Sequence, residues 1–275
     1  MSSNDVGRGA TPISPAKTSG PSTAALLGAK RYALLFGTEK FDHYPRLANP
    51  VKDVEAVAKD LETIYGFHTE IVRNPTHAQM RAKLIEYEDQ HSIKFASGDE
   101  LLVYFAGHGR FDERTKEGFV IAKDTSNDEA PYPAFTHSQL HNLIDGIPVD
   151  HLLVVLDVCF GGTFDSKIAD FAGHRGVDPK GLTRDQFIER KLRYRSRLYL
   201  TSGGKEYVPD GKPGANSPFT RALLEALRTE GSSDHVLTFD EIRVSMQRLD
   251  PMPRGGAFAT SDPGGDFIFV GTTAP

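Results

Sequence analysis

Residues 101–110 read LLVYFAGHGR and residues 151–162 read HLLVVLDVCFGG, and the fold turns on these two stretches. Each is an unbroken apolar run of strand-forming residues, the pattern of a strand buried on both faces. Each run then stops at a reactive side chain beside glycine. The first stops at His108 and the second at Cys159, the only cysteine of the chain. Phe160-Gly161-Gly162 lets the backbone turn sharply, which sets the thiol at the carboxyl edge of a strand.

Outward from these strands the pattern alternates. RYALLFG (31–37) is a short apolar run stopped by Gly37 and predicts a buried strand. NPVKDVEAVAKDLETIYGF places Val51, Val54, Val57, Leu61, Ile64 and Tyr65 on one helical face, with Pro50 in the first turn and Asn49 as its cap. HTEIVRN predicts a strand, and Thr76 caps a helix running through AQMRAKLIEYEDQHSI. DELLVYFAG is the next strand, GFVIAKD a short extra one, FTHSQLHNLIDGI a helix and HLLVVLDV the fourth main strand. Further on, SRLYLTSGG predicts a strand, SPFTRALLEALRTEG and TFDEIRVSMQRL helices, and DFIFVG a closing strand. Such alternation predicts an α/β fold with a mostly parallel central sheet sandwiched by helices. In such sheets reactive groups gather beyond the carboxyl ends of the strands, where His108 and Cys159 both fall.

Two segments stand apart. Residues 1–28 are rich in Ser, Pro, Gly, Ala and Thr without apolar periodicity and read as a disordered leader. Residues 165–195 mix glycine, a short helical pattern and many basic residues and read as a long mobile connection.

Composition narrows the function. At 275 residues there is room for a substantial core. A net charge of −5 provides no basic field for nucleic acid. No stretch approaches the roughly 18 apolar residues of a membrane span, and no secretory signal pattern opens the chain. One cysteine forms no intramolecular disulfide and supplies no zinc site with two cysteine ligands, so a reducing, cytoplasmic setting is expected.

Taken singly, each reactive residue has a plain reading: Cys159 a small buried hydrophobe, His108 a turn residue bonded to a nearby carbonyl. Adjacent parallel strands would bring imidazole and thiol within reach of each other, as a cysteine nucleophile requires. Asp157 stands two residues before Cys159, hence on the same side of an extended strand. A carboxylate ending an apolar strand needs a partner or a water-filled pocket. Asp53 on its own reads as a solvated acid of a first helical turn, and Glu206 as an ordinary loop charge.

YFAGHG followed by LLVVLDVCFGG resembles the caspase-like cysteine peptidases, in the branch of metacaspases, paracaspases and bacterial orthocaspases. The likeness covers roughly residues 30–272, including RYALLFGTEKFDHYPRLANPVKDVEAVAKDL, SRLYLTSGGKE and SPFTRALLEAL. It also covers the position of the histidine, roughly 50 residues upstream of the cysteine. The sequence departs from the family after the cysteine, where Phe-Gly-Gly stands in place of the His or Arg and Ser-Gly common in metacaspases.

The resemblance implies a caspase-hemoglobinase fold over residues 29–272, with a large-subunit-like part (29–165), a connecting loop (166–195) and a small-subunit-like part (196–272). It implies a Cys159–His108 dyad forming a thioester acyl-enzyme, with backbone N–H groups of Gly109 and Cys159 holding the oxyanion. Asp157, Asp53 and Glu206 match the acidic positions that receive arginine or lysine, where Asp-specific caspases carry basic residues. The implied partner is a protein or peptide with a basic residue before the scissile bond, and a regulatory protein is a further expected partner. No cofactor or metal is implied beyond the calcium dependence of many metacaspases, for which Asp124, Asp128 and Glu129 lack EF-hand spacing. A catalytically silent scaffold and a latent protease awaiting a partner remain as alternatives. Arg184, Arg190, Lys191, Arg193, Arg195 and Arg197 form either a solvated basic helix or, as in self-processing relatives, a target for self-cleavage.

Two other patterns carry less. HSQLH (137–141) has the i, i+4 histidines of a metalloprotease but not its adjacent glutamate. GKPGANS (211–217) lacks the ending of a phosphate loop and reads as a flexible loop.

Overall fold

The two runs become neighbouring strands of a six-stranded sheet in a computed structural model, which describes residues 28–89, 93–159, 164, 182–204, 208–229 and 235–272. The first half contributes β1 (Arg31–Gly37), α1 (Pro50–Tyr65), β2 (His68–Arg73), α2 (His77–Glu88) and β3 (Glu100–Ala106). A hairpin follows, β4 (Gly109–Asp112) and β5 (Glu117–Val120), then β6 (Phe135–Thr136), α3 (His137–Asp145) and β7 (His151–Asp157). The second half holds α4 (Arg184–Lys191), β8 (Ser196–Thr201), α5 (Pro218–Leu227), β9 (Val236–Thr238), α6 (Phe239–Ser245), β10 (Arg254–Ala257) and β11 (Ile268–Val270).

The central sheet runs β10-β8-β7-β3-β1-β2, parallel throughout except for the antiparallel edge strand β10. Both faces are buried, and alternate residues serve opposite cores. Ala33, Leu35, Tyr104 and Val155 pack against α1 and α5 through Val54, Val57, Leu61, Phe219 and Leu223. Leu34, Phe36, Val103, Phe105 and Val154 pack against α2 and α3 through Met80, Leu84, Leu140 and Ile144. This explains why the strands read as continuous rather than alternating apolar runs.

The helices start where polar residues can satisfy their first amides. Thr76, Thr136, Thr183 and Thr238 each form a capping box with the Gln or Glu three residues on, and Ser217 caps α5 through the Thr220 amide. Asn49 does not cap α1 with its side chain, contrary to expectation. The helix is instead seated by Gly37, where a Cβ would lie 2.8 Å from Val54 Cγ2 and 2.9 Å from the Pro50 carbonyl oxygen.

Several other expectations need correction. GFVIAKD yields only the end of β5, which belongs to a small β4-β5-β6 sheet beyond the end of β3. DFIFVG supplies β11, but it pairs with β9 in a separate two-stranded sheet. The edge strand β10 has the sequence RGGA, with no apolar run to announce it. At Gly255 a Cβ would lie 2.8 Å from the Tyr199 carbonyl oxygen, so glycine permits that pairing. Within 165–195, residues 184–191 form α4 rather than a mobile connection, with Ile188 buried and Lys191 paired to Asp266 at 2.6 Å. Arg184, Arg190 and Lys191 of that stretch lie on α4, Arg193 and Arg195 in the short connection that follows it, and Arg197, on β8, is wholly buried. The leader and residues 165–181 lie outside the described residues.

Gly37→Ala should force α1 off the sheet. Overpacking of this kind costs about 1–3 kcal/mol, read as a lower denaturation midpoint at unchanged slope. A midpoint equal to that of the wild type would contradict this seating of α1.

Candidate active site

Strands β3 and β7 pair residue for residue, from Glu100 opposite His151 to Ala106 opposite Asp157. They therefore end level, and the Gly107 amide donates to the Asp157 carbonyl at 3.3 Å. The chains leaving them stay in contact. A Cβ at Gly109 would lie 2.0 Å from the Cys159 carbonyl oxygen and 3.1 Å from its nitrogen, so no side chain fits there. The backbones of Gly109 and Cys159 thus lie side by side beneath the residues that matter.

His108 and Cys159 line one cleft, open to solvent at its mouth, together with Asp53, Asp157, Val208 and Asp210. The His108 Nε2 lies 2.9 Å from the Pro45 carbonyl oxygen. A carbonyl only accepts, so Nε2 carries the hydrogen and Nδ1 of the neutral ring keeps its lone pair. Phe41 and Tyr44 flank the imidazole, with ring centroids 4.7 and 5.7 Å away. Burial pushes the His108 pKa below its ordinary value, against the pull of the Pro45 bond and the Asp210 charge. The ring is accordingly a neutral base at pH 7.

Cys159 is 8% exposed. Its thiol is paired with the backbone of Val208, whose amide donates to Sγ at 3.4 Å and whose carbonyl accepts from it at 3.7 Å. Burial pushes the thiol pKa up, with the Asp157 and Asp210 charges adding to the rise and the Val208 bond opposing it. A thiol of this kind is protonated at neutral pH and needs a base to become a nucleophile.

Three carboxylates share the cleft. Asp157 is buried, and one of its oxygens, Oδ2, accepts from Ser217 Oγ at 2.6 Å, Thr220 Oγ1 at 2.9 Å and Tyr104 OH at 3.4 Å. Its pKa is raised, because desolvation outweighs the three hydroxyls. Asp53 is 1% exposed, which overturns the reading of a solvated helix acid. Its Oδ1 accepts from Asn216 Nδ2 at 2.8 Å and the Ser217 amide at 3.1 Å. Desolvation, then the Asp157 charge, pushes its pKa up to about 7. Asp210 Oδ2 accepts from the Ala48 amide at 2.7 Å.

Glu206 lies outside the described residues, so it has no place in this geometry. Asp210, Pro45 and Val208 were not foreseen. An aspartate before glycine in VPDG carries only a turn signal, and backbone groups leave no mark in a side-chain pattern. In the loop 211–217, Gly214 is bonded to Asn49, and Asn216 and Ser217 to Asp53.

The remaining candidates hold structure together. His141 packs its ring against Phe164 and Phe258 at 5.7 and 5.0 Å, and His137 is buried beside Phe164. Asp124 accepts from the His77 amide at 2.8 Å, while the carbonyls of Asp128 and Glu129 accept from Arg110. Among the described residues no group of three or more His, Cys, Asp or Glu side chains converges as a metal site. Among them, too, no helix is long and apolar enough to cross a membrane.

Comparison with known proteins identifies the fold. Residues 30–254 match the family model described as the caspase domain. A caspase-1 from Spodoptera frugiperda superimposes with a TM-score of 0.55 at 18% identity, covering 85% of this chain and 88% of its own. A protein of Geobacter sulfurreducens superimposes with a TM-score of 0.56 at 16% identity, covering 85% of this chain and 95% of its own. No curated protein sequence matches the chain.

The raised pKa of Asp53 makes a prediction about stability. Between about pH 4 and 7 the folded chain keeps a proton on Asp53 that the unfolded chain has lost. Stability from this group is thus full below the unfolded value and is lost as pH rises through the folded one. Asp53→Asn keeps an acceptor for Asn216 and Ser217 but removes the titration. Its melting temperature should match wild type near about pH 4 and exceed it near about pH 8. Parallel melting curves across that range would contradict a buried, titrating Asp53.

Proposed function

The chain belongs to the caspase-domain family, and from that membership we propose that it is a cysteine endopeptidase cleaving after arginine, or less readily lysine, with Cys159 and His108 as its dyad. The family supplies the cysteine-peptidase scaffold. The observation that carries the specificity is the set of buried carboxylates beside the thiol, Asp157 and Asp53, with Asp210 at the same cleft.

In this reading the substrate carbonyl lies over Cys159, displacing the thiol from Val208. Sγ attacks the carbonyl carbon as its proton passes to Nδ1 of His108, and the Pro45 carbonyl holds the Nε2–H of the resulting imidazolium. The N–H groups of Gly109 and Cys159 steady the oxyanion, being fixed before charge develops. Collapse breaks the C–N bond, His108 gives its proton to the departing amine, and a thioester remains on Cys159. A water then attacks the thioester with His108 again taking the proton, which releases the acid and restores the thiol. The scheme calls for no cofactor, and a reducing compartment such as the cytoplasm would preserve the thiol.

The pocket acids explain the choice of residue. Desolvation first, and then repulsion by the Asp157 charge, make Asp53 hold a proton to about pH 7. A guanidinium relieves that repulsion and makes charge-assisted, often bidentate bonds. Its fork geometry favours arginine over lysine, and an aspartate would add one more negative charge. The partner is therefore a protein or peptide presenting a basic residue, and the net charge of −5 argues against nucleic acid.

One observation favours a second reading, a protease latent until a partner or substrate acts. The resting thiol is held by both backbone groups of Val208 and kept protonated by burial. A silent scaffold is set apart from both by an active-site electrophile, which would leave Cys159 unmodified.

Fluorogenic peptides differing only in Arg, Lys, Asp or Leu before the bond test the proposal. The expected order is Arg above Lys, with Asp and Leu near background. Cys159→Ala and His108→Ala should abolish turnover while folding normally. Breaking a buried charge pair costs about 3–5 kcal/mol, so Asp157→Ala should lower kcat/KM for the Arg peptide by roughly a hundredfold or more. Equal cleavage of the Asp and Arg peptides, or an unchanged preference in Asp157→Ala, would overturn the pocket.

A further inference from the structure

Asn49 is wholly buried at the N-terminal end of α1, the position where its side chain would ordinarily cap the helix. It makes no such bond. Both hydrogens of its Nδ2 instead go to another part of the chain, to the carbonyls of Asp210 at 2.6 Å and Lys212 at 3.1 Å. Its Oδ1 accepts from the Gly214 amide at 3.2 Å. Two carbonyls and one amide around one side chain fix which end is nitrogen, because only that orientation satisfies all three. A side chain has thus forgone a local bond for three bonds more than 160 positions away. Departures of this kind from local preference concentrate at functional sites.

The segment that Asn49 holds is the far wall of the cleft. Asp210 is fixed at both ends, its carbonyl by Asn49 and its carboxylate by the Ala48 amide. Val208, two residues before it, carries the backbone groups that touch the thiol. The near wall is Asp53, one helical turn beyond Asn49, which receives Asn216 and Ser217 from the same loop. The buried Asn49 amide thus joins the Ala48, Asn216 and Ser217 bonds in setting the distance between the acids on α1 and on the loop, and contributes three of those bonds.

We propose that Asn49 is the positioning residue of the specificity pocket, holding Asp210 at the spacing from Asp53 at which one guanidinium meets both. The proposal rests on the reading of the cleft as a pocket for a basic residue. Asn49 touches neither the thiol nor the imidazole, so its influence falls on affinity for the basic side chain and not on bond breaking.

The test uses the full chain and two variants. Asn49→Ser can still cap the helix but is too short to bridge to the loop, so its melting temperature should fall, the cap offsetting only part of the three lost bonds. Its KM for the Arg peptide should rise about tenfold as bonds to the loop are lost, with kcat changed by less than about threefold. Amides in residues 208–217 should exchange faster with deuterium. Asn49→Asp adds a negative charge beside an acidic pocket, which by charge alone would lower KM. Because a carboxylate cannot donate to the Asp210 and Lys212 carbonyls, KM should rise instead. If the wild type cleaves the Arg peptide and neither variant raises KM, the positioning role is wrong and the pocket stands. A fall in KM for Asn49→Asp, or a loss confined to kcat, would also overturn it. If the wild type cleaves no Arg peptide, the pocket reading fails and this inference fails with it.

Discussion

Everything at the site depends on the residue-for-residue pairing of β3 with β7. Because Ala106 lies opposite Asp157, the two strands stop together, and the next residues of each are thrown into the same space. Gly109 then meets the backbone of Cys159 so closely that only glycine is tolerated. Register is held by burial on both faces, since a slip of one residue would turn every side chain to the wrong core. Such a slip would also carry Asp157 away from Tyr104, Ser217 and Thr220, the hydroxyls that make its burial bearable. Fold and site are specified by the same contacts.

The second constraint is electrostatic. Asp53 and Asp157 are both withdrawn from water without a cation among their hydrogen-bond partners in the described residues. Neutral donors compensate only in part, as the raised pKa values of both acids record. In the proposed reading a guanidinium would supply the cation that these acids lack among their hydrogen-bond partners. On the catalytic side the balance runs the other way, with a neutral imidazole oriented by Pro45 and a protonated thiol held by Val208. In the proposed mechanism a substrate displaces these resting bonds before the thiol attacks, so no preformed thiolate is called for.

Much of this was legible in the chain. Uninterrupted apolar runs announce doubly buried strands, and glycine beside His108 and Cys159 marks their exits. Asp157 could be read from its distance of two residues to the cysteine, because strands alternate faces. Legibility failed wherever a role is set by a distant segment. Asn49 looks like a helix cap because local pattern knows nothing of residues 210–214. Asp210 looks like a turn residue, and Pro45 acts through a carbonyl that every residue possesses. Edge strand β10 has no apolar pattern to read, and β11 has the right pattern but a different partner. Within the basic stretch Arg197 is buried, whereas Arg190 and Arg193 are exposed at the end of α4 and in the turn after it.

The account joins one nucleophile to one charge preference, and a single labelling measurement addresses both. The chain is incubated with matched peptidyl electrophiles ending in arginine or aspartate, then digested and analysed by mass spectrometry. The account predicts one adduct, a thioether on Cys159, formed with the arginine probe and suppressed in Asp157→Ala. An adduct formed equally well with the aspartate probe, or an unmodified Cys159, would contradict it.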